Sequence, residues 1–387
     1  MRLHKVENGL CIAMLLLSCL AVRAQEHGDP IYRARNDHSG NQIRLTFRNS
    51  GHMGFSDTDH QMPIYGAEWP LNSGIAQLGI AADYIAAELT ILTPDENGDS
   101  TYVKITPVVW CQTGPLDRMH TDENGKFLGF EPLPGYLNID NDDFFHKVAM
   151  SHQRFTWPSF WPNKLDDATD PGWRGSWNGY FGKNVMNADQ ESFYMMDDWT
   201  VKRSVHGIPL PLPDPTDPNR GGLGLRQKVR GLQWSNPSVQ DAIFWIYDIK
   251  NIGQLRLTKT VFGFNVGGAL GSRLTIGDTQ DDAAVFFREN NLTATYDYNN
   301  IGEGGYTPVP WLGFTYLESP GNALDGIDND GDGVGGGSAI ITLADFEPRT
   351  ISVGDPIVTI DYGSDTYRRT LTTMPAEGVT FTFNKQT

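Results

Sequence analysis

Four aspartates and three glycines fall within nine residues at Asp325–Gly333, in the order Asp-Gly-Ile-Asp-Asn-Asp-Gly-Asp-Gly. Carboxylates packed this closely repel one another unless a cation sits among them, and glycines let the backbone turn tightly enough to aim several oxygens at one point. The chemistry expected here is calcium binding through Asp325, Asp328, Asp330 and Asp332. In a twelve-residue calcium loop Asp328, Asp330 and Asp332 take positions one, three and five, with Gly333 at six and the Val334 carbonyl at seven. Position twelve is Ala339 instead of a bidentate glutamate, so Asp325 or Asp345 would supply the missing oxygen and the affinity expected is of the weak, extracellular kind, about 10⁻⁴ to 10⁻³ M. The competing reading is a solvated acidic turn ahead of Gly335-Gly336-Gly337.

A second cluster gathers Trp157, Trp161, Trp173 and Trp177 with Tyr180 and Phe181. Flat aromatic faces can form a platform on which sugar rings stack; equally, large aromatics can supply the core of a loop-rich region. Enzyme signatures are thin. The chain has no Gly-x-Ser-x-Gly elbow, no His-Glu-x-x-His and no phosphate-binding glycine loop. Asp197-Asp198 with Glu191 could serve a glycosidase only at a spatial separation that no sequence reveals. No catalytic residue is therefore assigned.

What must position these groups is legible in outline. Arg2 and Lys5, the apolar run Leu10–Leu20 and Ala21-Val22-Arg23-Ala24 have the order of a secretory leader, with cleavage expected after Ala24. Cys19 after Leu16-Leu17-Ser18 loosely matches a lipoprotein box and offers a lipid anchor as an alternative. The leader carries Arg2, Lys5, Arg23 and Glu7, so the net charge falls from −17 for the whole chain to −19 for residues 25–387. Such an acidic balance argues against nucleic acid or an anionic membrane as partner. No later stretch approaches the roughly 20 apolar residues of a spanning helix. Only Cys111 lies beyond the leader, so the expected fold rests on a hydrophobic core and metal, with no internal disulfide.

Strand signals dominate. Ile43, Leu45 and Phe47 alternate with Arg44, Thr46 and Arg48, and Asp95-Glu96-Asn97-Gly98-Asp99 separates Tyr84–Thr93 from Ser100–Trp110 as a hairpin turn would. Ile75–Leu92 is ambiguous, because Ile75, Leu78, Ala82, Ile85 and Leu89 also mark one helical face; its second half favours strand. Ala242–Lys250 and Thr258–Val266 around Asn251-Ile252-Gly253 read as a hairpin at the centre of a sandwich. Two further strand pairs are expected around Val353–Tyr362 and Thr366–Phe383. The proline- and glycine-rich Ile208–Gly222 marks a boundary or a long surface loop. The expectation is an all-β protein of β-sandwich domains with long loops and little helix: leader 1–24, an N-terminal domain 25–222 with the aromatic region, and a C-terminal domain 223–387 with the acidic loop.

Arg230-Gly231-Leu232-Gln233-Trp234-Ser235-Asn236-Pro237 with Asp241–Asn251, Asn184–Glu191, Pro310-Trp311-Leu312-Gly313-Phe314 and Leu317–Asn322 resembles the N-terminal region of large, uncharacterised secreted bacterial surface proteins of the kind that end in a type IX sorting domain. The acidic loop is similar to those of thrombospondin type 3 repeats, and the Asn-Ile-Gly segment to adhesion-type β-sandwich modules. Where related modules carry an Asp-x-Asp pair this chain reads Asn265-Val266-Gly267-Gly268. The resemblance implies a non-catalytic secreted or cell-surface protein, an adhesion, matrix or display module stabilised by calcium. The alternative from the residues is a carbohydrate-binding or glycan-hydrolysing protein using Trp157–Trp177, so the partners expected are glycans or other surface proteins.

Overall fold

The computed structural model describes residues 27–54, 66–94, 99–111, 129–143, 145–201, 204–205, 208–273, 280–287, 290–317, 346–351, 356–360, 369–373 and 379–384. The expected leader 1–24 and the acidic loop with Asp325, Asp328, Asp330 and Asp332, the expected calcium ligands, lie outside the described residues. The fold is all-β. Among the described residues the helical turns are three-residue 3-10 turns at Pro30–Tyr32, Arg154–Thr156 and Pro162–Lys164, and no described helix is long and apolar enough to cross a membrane.

Two compact units divide the chain, one of Met1–Ala284 with Thr295–Leu312, the other of Val285–Ala294 with Gly313–Thr387. In the first unit a seven-stranded antiparallel sheet begins with β1 (Arg35–His38), β2 (Leu45–Arg48), β3 (His52–Gly54) and β4 (Ile75–Pro94), which pair in that order. β5 (Ser100–Ile105) and β6 (Val108–Trp110) both fold back on β4. Pro94 faces Ser100 and Thr93 faces Thr101, so the expected hairpin closes across residues 95–99. All twenty residues of β4 are extended. Its helix-like pattern has a physical cause: most of its residues are buried on both faces, and a strand covered on both sides reads as one long run of apolar and small residues.

The second sheet takes the short β7 (Glu131–Pro132) and β8 (Ala149–Met150), which both pair with β11 (Gln190–Asp197). Between them and β11 lies a small hairpin of β9 (Asn178–Gly179) and β10 (Gly182–Lys183). A second hairpin, β12 (Ser204–Val205) with β13 (Ile208–Pro209), precedes β14 (Leu225–Gln233). β14 pairs with β11 along its whole length, Gln190 facing Gln233 and Asp197 facing Arg226, and β15 (Ile243–Asn251) pairs with the other edge of β14. The segment 208–222 is thus a loop within one sheet, and the strands do not part at residue 222.

β15 and β16 (Thr258–Arg273) correct the expected central hairpin. β16 crosses to the first sheet and pairs with β4, Phe262 facing Ile85, so the two runs are terminal strands of different sheets among the described residues. The Asn251 side chain accepts from the Gly253 amide and makes the turn that redirects the chain. Aromatic content survives in a different role: Tyr247 of β15 meets Phe262 and Phe264 of β16 at 4.9 and 5.6 Å between ring centres, closing the open side of the sandwich. Deeper inside, Phe47 stacks near Tyr194 and edges onto Trp245.

Polar side chains stitch the two sheets together as well. The Gln233 side chain accepts from the Gly40 amide at 2.7 Å and donates to the Ile43 carbonyl at 2.8 Å, while the Asn36 side chain donates to the Val148 carbonyl. At the centre Asp83 accepts from the Cys111 thiol at 2.8 Å and from Gln227 Nε2 at 2.9 Å, all three side chains being fully buried. Gly51, at φ +84°, makes room for this cluster: a Cβ there would lie 2.1 Å from Cys111 Sγ.

After β16 come β17 (Asp282–Phe287), β18 (Leu292–Asp297) and β19 (Leu312–Thr315), a three-stranded sheet. In the second unit β20 (Phe346–Ile351) pairs with β23 (Val379–Asn384) and β21 (Pro356–Ile360) with β22 (Arg369–Thr373); β21, β22 and β23 fall in the expected runs Val353–Tyr362 and Thr366–Phe383, while β20 lies ahead of both.

Candidate functional site

The aromatic region is built on β8, β11 and two 3-10 turns. Trp161 and Trp177 are buried and form the core with Leu133, Tyr136, Ala149 and Phe193, while Trp157 and Trp173 are half-buried against it. Trp177 sits 5.5 Å from both Trp157 and Trp161 between ring centres. Every indole N–H has an internal acceptor: Met150 O for Trp157, Ser176 O for Trp161, Asp167 Oδ2 for Trp173 and Glu191 Oε2 for Trp177. The four-membered platform is therefore split: Trp161 and Trp177 belong to the interior and present no face to a ligand. Trp157 and Trp173 stay partly open in a region that also exposes Phe155, Tyr180 and Phe181. Lys164 Nζ lies 4.3 Å over the Trp173 ring.

Glu191 anchors this core. It accepts from Trp177 Nε1, from the Tyr180 amide and from Arg230, whose guanidinium also lies 3.9 Å over the Phe193 ring. Both members of the ion pair are about nineteen-twentieths buried or more. Glu191 and Asp197 lie six residues apart on β11, about 20 Å at the rise of a strand. That is about twice the widest carboxylate spacing of an inverting glycosidase, so this pair cannot flank one glycosidic bond.

A different constellation gathers at the end of β11. Asp197 and Asp198 are buried side by side in sequence. Asp197 accepts from the Gly28 amide at 2.9 Å, from the Trp199 amide, and from Arg226 at 3.1 Å. Asp198 accepts from Arg220 at 2.7 Å and from the Leu223 and Leu225 amides. Through these bonds one side chain fixes the return of the long Pro- and Asp-rich loop into β14. Gly222, at φ +63°, is required there, since a Cβ would fall 2.4 Å from the Asp198 carboxyl. Burial pushes the Asp198 carboxyl up to about 7, against the pull of Arg220 and of the two amides.

Above the buried pair lies a pocket of about 20 Å³ lined by His27, Trp199, Asp214, Asp217, Arg220 and Arg226. His27 stacks on Trp199 with ring centres 3.7 Å apart and 7° between planes, and Trp199 Nε1 donates to Asp217. Hydrogen bonds from the Thr216 hydroxyl and amide hold the Asp214 carboxyl below its ordinary range. Of this site only Asp197 and Asp198 stood out in the sequence. His27, Trp199, Asp214, Asp217, Arg220 and Arg226 come from three separate segments, and no spacing rule joins them. Among the described residues no three metal-ligating side chains converge.

Fold and sites together define an all-β protein with a sandwich-like unit, whose buried charges are tied to loops and core. Compared with known protein families, curated proteins and solved structures, the chain matches none.

Proposed function

We propose that this chain is a non-catalytic secreted or cell-surface protein, an adhesion, matrix or display module stabilised by calcium. The observation that carries the reading is the use made of buried carboxylates. Glu191, Asp198 and Glu131 are each held by an arginine and by backbone or indole N–H groups, and so serve as ties for irregular segments. The leader-like start, the acidic composition and the resemblance to secreted bacterial surface proteins point the same way. Calcium at Asp325, Asp328, Asp330 and Asp332 would stabilise by mass action, since a ligand bound only by the folded chain shifts unfolding in proportion to ln(1 + [L]/Kd). Millimolar calcium should raise the melting temperature of the parent, and the rise should vanish in the Asp330→Ala, Asp332→Ala double variant. A parent indifferent to calcium sinks the metal part of the reading.

Carbohydrate binding is the second reading, favoured by the partly open Trp157 and Trp173 in a region with Phe155, Tyr180 and Phe181 exposed. Glycan-array binding lost in the Trp157→Ala and Trp173→Ala variants would replace the first reading with this one. An array without hits removes it. Trp177→Ala is uninformative there, because it opens a cavity in the core.

A further inference from the structure

Resting on the reading that the chain is exported, we propose that Asn291 is a covalent modification site: its side-chain amide carries an N-linked glycan, and Thr293 supplies the hydroxyl by which a transferase recognises it. The co-substrate is an oligosaccharide activated as a diphosphate ester. A bond forms from Asn291 Nδ2 to C1 of the first sugar while the bond from C1 to the diphosphate oxygen breaks. The diphosphate leaves with that electron pair, the amide nitrogen gives up one proton to the transferase, and nothing is oxidised or reduced.

Three observations converge on this site. The first is the motif and its singularity. Asn291-Leu292-Thr293 is the one Asn-x-Ser/Thr in the chain whose middle residue is not proline; Asn236-Pro237-Ser238 has the spacing but is excluded by its proline.

The second is display, without which so short a motif means little. Asn291 stands immediately ahead of β18 at φ +47°, in the left-handed region that asparagine enters more readily than most residues. Its carbonyl accepts from the Tyr316 amide at 3.4 Å and from the Thr315 hydroxyl at 3.2 Å, so the backbone is tied to the end of β19. Strand alternation then separates the side chains. Leu292 covers Gly313 of β19, where a Cβ would lie 2.8 Å from Leu292 Cδ1, and Ala294 is buried. Thr293 is exposed between them, as is Asn291. Neither the Asn291 amide nor the Thr293 hydroxyl bonds to any described residue. The turn accounts for an asparagine in a left-handed conformation, but the fold makes no use of either polar group.

The third is the surroundings. Phe286 and Phe287 end β17, Tyr316 and Leu317 follow β19, and all four are exposed, in the same compact unit as Asn291 and Thr293. Large apolar side chains gathered at one end of a sheet call for a cover. A sugar chain rooted at Asn291, whose carbonyl Tyr316 already touches, lays its C–H faces on these rings and presents its hydroxyls to water.

The test uses the protein purified from the cells that make it naturally. The peptide containing Asn291–Thr293 is weighed before and after an amidase that cleaves N-linked glycans. The expected result is a mass above that of the bare peptide, removed by the amidase. Thr293→Ser should keep the glycan. Thr293→Val, which matches the threonine in shape, should lose it, as should Asn291→Gly, which suits φ +47° and so spares the turn. A bare peptide from the parent overturns the proposal, and so does a glycan that survives Thr293→Val. The N-terminal peptide of the same preparation reports separately on export. Retained residues 1–24 with Asn291 glycosylated fail the leader reading and leave the modification standing, whereas a removed leader with Asn291 bare does the reverse.

Discussion

Replacing Asp83 with asparagine is expected to stabilise the protein near neutral pH by about 3 kcal/mol, and to change it little below about pH 4. Burial raises the Asp83 carboxyl to about 6 from an ordinary 3.8, outweighing the hydrogen bonds from Cys111 and Gln227 that pull it down. A carboxyl raised on folding contributes stability that is fully present below the unfolded value and is lost as pH climbs through the folded one. The difference of about 2 units is about 3 kcal/mol, all of it gone above about pH 7. Asparagine stands in for the neutral carboxyl at every pH. Its amide also finds a partner, because Gln227 Oε1 is buried without a hydrogen bond and can accept once the Gln227 amide turns over. Urea unfolding of parent and variant at about pH 4 and pH 7.5 measures this directly; a variant weaker at both sinks it.

The comparison must be a difference between two proteins. His38 and His52 are buried and lowered to about 3, so their contribution is present above an ordinary 6.5 and is lost as pH falls toward 3. Asp83 and Asp198 act in the opposite direction between about pH 4 and pH 6. The parent's own profile is therefore flattened by cancellation, and removing the Asp83 titration with Asp83→Asn brings out the histidine slope.

Arg230→Met is expected to cost about 3–5 kcal/mol, because it leaves Glu191 charged and buried without its cation. Adding Glu191→Gln should recover part of that loss, since glutamine still offers an oxygen to Trp177 Nε1 or to the Tyr180 amide. Equilibrium unfolding of the single and double variants closes the cycle. A cost under about 1 kcal/mol for Arg230→Met would place the pair among surface ion pairs, contrary to its burial.

These residues also show what was legible in the sequence and what was not. Alternation at Leu45 and Phe47 and the turn chemistry at residues 95–99 located strands correctly, because in those places hydrophobic pattern and local geometry agree. The strand that organises the second sheet went unrecognised. Leu225–Gln233 reads Leu-Arg-Gln-Lys-Val-Arg-Gly-Leu-Gln, yet Gln227, Arg230 and Gln233 are buried and bonded to Asp83, Glu191 and Asn41, all far away in the sequence. Hydrophobic periodicity is blind to a strand whose interior side chains are polar. The β15–β16 hairpin failed for a related reason: two adjacent β-rich runs need not pair with each other when each has a better edge in a different sheet. The pocket at β11 was legible only as the Asp197-Asp198 pair, since its remaining members span residues 27 to 226.

That span governs when the protein can fold. Gly28 waits for Asp197, 169 positions later, Asp83 waits for Gln227, 144 later, and Gln77 bonds to the Gly271 amide, 194 later. Loops of this length must close before their contacts give anything back, which makes folding slow and leaves few stable partial structures. A nascent chain shorter than about 270 residues lacks the complete β16 and cannot seal its sandwich, so the first sheet gains its last partner for β4 only when most of the chain has been made.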